Sequence, residues 1–76
     1  MADSNKAREI LCDLLNVAAS ELNDDSGIQT LPQWDSLAHL RIISHLESLL
    51  GNKLELDDML EIVDLRSLSR FVERNL

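Results

Sequence analysis

Apolar residues in this chain recur at helical spacing in several separate stretches and nowhere with the alternation of a strand. Ala7, Ile10, Leu11, Leu14, Leu15 and Ala18 share one stripe of a first helix, predicted over about residues 5–17, with Ser4 placed to cap it. A second helix begins at Asp35 or Ser36 and continues to about Leu50, where Gly51 supplies the residue type that ends helices in the left-handed conformation. The acidic segment "LELDDMLEIV" reads as one or two helical turns led by Asp57. A last helix starts near Asp64 or Leu65 and turns Leu65, Leu68, Phe71 and Val72 inward. Between the first two helices periodicity disappears. The stretch "NDDSGIQTLPQ" is built of turn formers, with Ile28 and Leu31 as its expected apolar anchors. The expected architecture is all-α, a small four-helix bundle of three main helices and a short third one, with a long loop after the first helix.

Size restricts what such a bundle can do. Seventy-six residues make one domain, taken as 1–76, and a chain this short buries only about 60–65% of its unfolded surface. Trp34 and Phe71 are its only aromatic residues, so Leu, Ile, Val and Ala must supply the core, and a broad substrate cavity would remove side chains the fold needs. The net charge of −7 disfavours nucleic acid and anionic membrane surfaces, since both call for clustered Lys and Arg. No apolar run approaches the ~20 residues that span a bilayer, and "MADSNKAREI" lacks the apolar centre of a signal peptide. The lone Cys12 falls off the helical stripe, without a His or Lys beside it to activate the thiol. The expectation is a cytoplasmic monomer.

The second helix is the informative one. On a wheel of 100° per residue, Ala38, Ile42, Ile43, Leu46, Leu49 and Leu50 form the core side. Arg41, Ser44 and Ser48 lie opposite, with His45 and Glu47 nearer the edges. Leu37 stands in the middle of that polar side and Leu40 at its border, where burial within the domain would gain them nothing. Two such residues beside a helix start suggest a contact surface. Asp35 is a good cap for the free N–H groups of the first turn. Ser36 then takes the first helical position, its hydroxyl near the positive end of the helix dipole, where a phosphate gains roughly 0.3–1 kcal/mol. Locally two readings stay open: Ser36 merely assists the cap, or it is held out for attachment. Trp34 likewise either plugs the core or meets a partner.

Other chemistries find little support. Ser36 and His39 are three apart and able to approach each other, but nucleophilic catalysis also needs an oriented base and an oxyanion site. His39 points to the core side and reads as a packed or hydrogen-bonded histidine. His39, His45 and Glu47 diverge too far to hold a metal, and Asp24-Asp25 lacks the ligand spacing of a calcium loop. The chain is expected not to be an enzyme and to bind no metal.

"WDSLAHLRIISHLESLLG", preceded by a polar loop and followed by a short acidic helix and "VDLRSLSRFVE", resembles the acyl carrier protein family over almost the whole chain. Asp35-Ser36-Leu37 is the central motif, supported by Leu46-Glu47 and by Gly51 closing the helix. The resemblance implies that Ser36 carries 4′-phosphopantetheine, donated by coenzyme A through a separate phosphopantetheinyl transferase. It also implies that the arm holds an acyl or aminoacyl group as a thioester. Partners would be an acyl- or aminoacyl-activating ligase and downstream transferases or synthases. They would dock on Trp34, Asp35, Leu37, Leu40, Arg41, Ser44, Glu47 and Ser48. The chain departs from fatty-acid carriers in having Ala38, Arg41 and Ser48 where those often carry acids, and in placing Trp34 before the motif. "WDSL" looks more like carriers of specialised pathways. The competing expectation is a helical protein-interaction module with a carrier-like fold and no prosthetic group.

Overall fold

A computed structural model of the chain describes residues 2–76, with side chains from residue 6 onward. Helix α1 spans Ala2–Leu15, α2 Ser36–Leu50, α3 Leu56–Glu61 and α4 Leu65–Asn75. A single 3-10 turn, Ala19–Glu21, interrupts the connection from α1 to α2. Helix α1 packs on α4 and on α2, and the four elements form the expected all-α bundle.

The first helix starts and stops earlier than its periodicity suggests. Ser4 lies inside α1 rather than ahead of it, and its side chain is outside the described residues. Asn16 adopts a left-handed conformation (φ 57°), which asparagine tolerates better than most residues, and this ends the helix at Leu15. Beyond that break the helical phase is lost, so Val17 is buried and Ala18, expected on the stripe, is exposed. Cys12 is partly buried against the core. In α4, by contrast, Leu65, Leu68, Phe71 and Val72 are all buried, as their spacing predicts. The start of α4 is fixed by reciprocal bonds: the Asp64 carboxylate accepts from Ser67 N–H, and Ser67 Oγ accepts from Asp64 N–H. Helix α3 begins at Leu56 after an N-cap Glu55 that makes no side-chain cap bond, so Asp57 sits inside its first turn instead of leading it.

The long loop is tied down largely by backbone pairing; of the two apolar residues expected to anchor it, Leu31 packs against the core and Ile28 does not. Ile28 is exposed and Leu31 only half-buried. Leu22 and Ser26 are buried instead, and Ser26 Oγ accepts from Asn23 N–H at 2.9 Å. The segment then pairs with the chain entering α4. Ile28 N–H donates to the Val63 carbonyl at 3.0 Å, Leu65 N–H to Ser26 at 2.8 Å, and Arg66 N–H to Asp24 at 3.1 Å. The exposed Arg66–Asp25 ion pair, at 2.9 Å, adds little to this ladder.

Gly27 is what lets the two strands of chain meet. A Cβ at this position would overlap the Val63 carbonyl oxygen and stand 2.7 Å from Asp64 Cβ. Gly27→Ala is therefore expected to destabilise by about 2–3 kcal/mol, as overpacking against backbone does. Urea denaturation checks this; a loss below about 0.5 kcal/mol means that the close approach is dispensable.

Candidate functional site

The site grows from the start of α2. Asp35 has extended backbone (φ −96°, ψ −172°), and its Oδ1 accepts from Ala38 N–H at 2.9 Å, while its carbonyl receives His39 N–H. This cap places Ser36 at the first helical position, exposed to solvent. The N–H groups of Ser36 and Leu37 are left without a protein partner among the described residues. A hydroxyl thus projects beside two free donors at the positive end of a 15-residue helix. At the far end Gly51 takes the left-handed conformation (φ 79°) and donates to the Glu47 carbonyl at 2.8 Å.

Trp34 supports this start from beneath. It is 1% exposed, so the expectation that it touches partners is corrected: its ring is a core side chain. Its Nε1–H donates to His39 Nδ1 at 3.1 Å, with the ring planes within 24° of parallel. Indole N–H is only a donor, so Nδ1 must accept and the imidazole proton resides on Nε2. There it donates to the Met59 carbonyl at 3.1 Å. The chain Trp34–His39–Met59 therefore ties the loop before α2, the first turn of α2 and the body of α3 together. His39 is the hydrogen-bonded histidine that its place on the wheel predicts, with both ring nitrogens engaged in structural hydrogen bonds.

Around Ser36 runs an open, mostly apolar groove of about 580 Å³, lined by Ile28, Leu31, Pro32, Asp35, His39 and Leu40. The sequence reasoning missed this groove. Leu31-Pro32 shortly before the capping residue was its available signal, since a proline there favours a turn, closed by Trp34 N–H donating to the Leu31 carbonyl at 3.0 Å, that sets apolar side chains beside the helix start.

Farther along α2, Leu37, Leu40, Arg41, Ser44 and Ser48 share a shallow depression with Leu14 and His45. Leu37 and Leu40 are 60% and 61% exposed. This is the outward face that the wheel selects. Glu47 does not join it; half-buried, its Oε2 accepts from Leu54 N–H at 2.9 Å and secures the chain after α2. Ala38 is buried and lies off the face too. Leu49 has the phase of a core residue but is exposed, because the last turn of α2 is left uncovered there. Among the described residues Arg41 forms no ion pair, and no group of three or more His, Cys, Asp or Glu residues is placed to hold a metal.

Residues 5–72 match the family model described as the phosphopantetheine attachment site, which is most of the chain. The protein belongs to this phosphopantetheine carrier family. Its members are carriers rather than catalysts, and their cofactor is 4′-phosphopantetheine, covalently held. The carrier is also 36% identical over 67 residues to the non-reducing polyketide synthase AC of Didymella fabae, a stretch covering 88% of this chain but 2% of that synthase. Its residues suit such a group. A phosphate needs a hydroxyl, free N–H donors and a positive dipole end, and the slender arm needs an apolar groove beside it. The start of α2 brings all of these together. No helix among the described residues is long and apolar enough to cross a membrane.

Proposed function

We propose that Ser36 is the residue that bears 4′-phosphopantetheine, and that the carrier presents an acyl or aminoacyl group to partner enzymes of a specialised biosynthetic pathway. The observation that carries this reading is the exposed Ser36 hydroxyl at the capped start of α2, beside an apolar groove. Coenzyme A is the donor and a separate phosphopantetheinyl transferase the catalyst; Ser36 Oγ gives up its proton and forms the new bond to the phosphorus next to pantetheine, the pyrophosphate bond of coenzyme A breaks, and adenosine 3′,5′-bisphosphate leaves. Once attached, the arm offers a terminal thiol on which cargo is held as a thioester. The protein's own residues do the rest. Asp35 fixes the helix start, the unpartnered N–H groups of Ser36 and Leu37 would be the nearest donors for a phosphate on Ser36, and Ile28, Leu31 and Pro32 line the groove that would receive the arm.

The likeness to a polyketide synthase supports an acyl cargo of that kind and partner enzymes of the synthase type. Arg41 in place of an acid supports dedicated partners, since a face bearing Arg41 and no carboxylate attracts a different rim of charge. Arg41→Glu is expected to lower kcat/KM for cargo loading by about tenfold while leaving Tm unchanged. Unaltered loading kinetics would remove Arg41 from the interface. The reading as a whole is tested by coexpression with a broad-specificity phosphopantetheinyl transferase followed by intact-mass measurement. The wild-type chain should gain one arm and Ser36→Ala none.

A further inference from the structure

His39 stands one helical turn after Ser36 and meets three parts of the chain at once. Its backbone N–H donates to the Asp35 carbonyl at 2.9 Å and so closes the first turn of α2. Its ring Nδ1 accepts from Trp34 in the loop, and its Nε2–H donates to Met59 in α3. The ring also lines the groove beside Ser36.

The Met59 carbonyl is open to that proton for a local reason. Helix α3 ends at Glu61, so its last carbonyls lack partners within the helix. Val63 N–H, which would bond Met59 in a longer helix, donates instead to Ser67 Oγ at 3.0 Å. A carbonyl only accepts, so it holds the imidazole proton on Nε2, and Nδ1 meets the indole with a lone pair. Were the tautomer reversed, Nδ1–H and the indole N–H would point at each other. A donor on a side chain 1% exposed would then go unpaired. A carbonyl of α3 thus orients a ring of α2, and that ring fixes the Trp34 side chain two residues ahead of Ser36.

We propose that His39 is a positioning residue for attachment at Ser36, acting through Trp34 and the first turn of α2 rather than on the hydroxyl. This rests on Ser36 being the attachment residue. With its Nδ1 lone pair given to the indole and its Nε2 protonated, the ring has no place left for the Ser36 proton. Its contribution is to hold the seat of the serine still while a separate transferase does the chemistry. The exposed face of α2 that holds Leu37, Leu40 and Arg41 is not part of this chain of bonds. Loss of His39 therefore acts on the rate of the bonded complex and not on its formation.

Tautomer and attachment are read separately. In the wild-type apo chain at about pH 8, nitrogen NMR shifts of the imidazole should show the proton of His39 on Nε2 and none on Nδ1. Trp34 is the only tryptophan, so its indole N–H signal reports the bond directly. His39→Asn puts an amide oxygen in the place of Nδ1, and His39→Phe keeps a ring there with no acceptor. The indole signal should stay near its wild-type shift in His39→Asn and move upfield in His39→Phe. With coenzyme A and a phosphopantetheinyl transferase, His39→Phe should lose about fivefold in kcat for attachment at unchanged KM, and His39→Asn less than about twofold. A ring that mattered only as packing would give the reverse order, which overturns the proposal. So would a proton on Nδ1, or variants that both match wild type. If His39→Phe does not fold, the tautomer and the indole of His39→Asn decide, and a shifted indole there overturns the proposal. A wild-type chain that takes up no arm overturns the reading of Ser36 and this inference with it, whereas the other outcomes touch this inference alone.

Discussion

Trp34→Ala should cost about 3–5 kcal/mol of stability, the range for removing a large aromatic side chain from a packed core. A chain of 76 residues has roughly 4–11 kcal/mol in total, so this one substitution takes the protein close to unfolding at room temperature. Two losses combine. The ring is one of the largest fully buried side chains, and its removal leaves a cavity under the start of α2. His39 Nδ1 also loses its only donor, which costs about 1 kcal/mol or more where water cannot replace it. A loss of about 4 kcal/mol lowers Tm by about 15–30 °C in a domain of this size. Trp34→Phe separates the two terms: it keeps most of the ring and should lose only about 1–2 kcal/mol. Scanning calorimetry reads both variants. If Trp34→Ala melts within about 5 °C of wild type, the ring is not the support assigned to it.

Ser36→Ala is expected to do the reverse, abolishing attachment of the arm while leaving the fold intact. The side chain is exposed, and the side-chain cap bond of α2 comes from Asp35, so little packing or hydrogen bonding is lost. Alanine is the better helix former by about 0.5 kcal/mol, so Tm should stay level or rise slightly. Attachment falls to nothing because no other oxygen occupies that place. A control distinguishes chemistry from geometry. Asp35→Ala keeps the hydroxyl but removes the Oδ1 bond to Ala38 N–H, costing about 1 kcal/mol and loosening the first turn. It should slow attachment without abolishing it. If Asp35→Ala is modified at the wild-type rate, the rigid presentation of Ser36 is unimportant to the transferase.

What the sequence made legible follows from the range of the forces involved. The caps of α2, Asp35 and Gly51, act within a few residues and were readable, as was the inner face of α4. The outward Leu37 and Leu40 were readable because a helix wheel needs only local geometry. The end of α1 was not: the apolar spacing continues to Ala18, and only the left-handed Asn16 breaks it. The loop anchors were legible only in part. Leu31 packs against the core as expected, but Ile28 is exposed, and the loop is held besides by pairing with residues 63–66, a contact distant in sequence that periodicity does not report. Trp34 was half understood. Its place before the cap shows that it supports the helix; full burial depends on His39 and, through it, on Met59 from α3. The groove beside Ser36 is likewise assembled from loop and helix.

The chain has other serines, among them Ser20, Ser44 and Ser48, which are also exposed. What separates Ser36 from them is its seat at a capped helix start. Fragmentation mass spectrometry of the wild-type protein, after incubation with coenzyme A and a phosphopantetheinyl transferase, therefore asks the decisive question. The added mass should map to Ser36 alone. Its appearance on any other serine, or no added mass on a folded chain, would contradict the assignment.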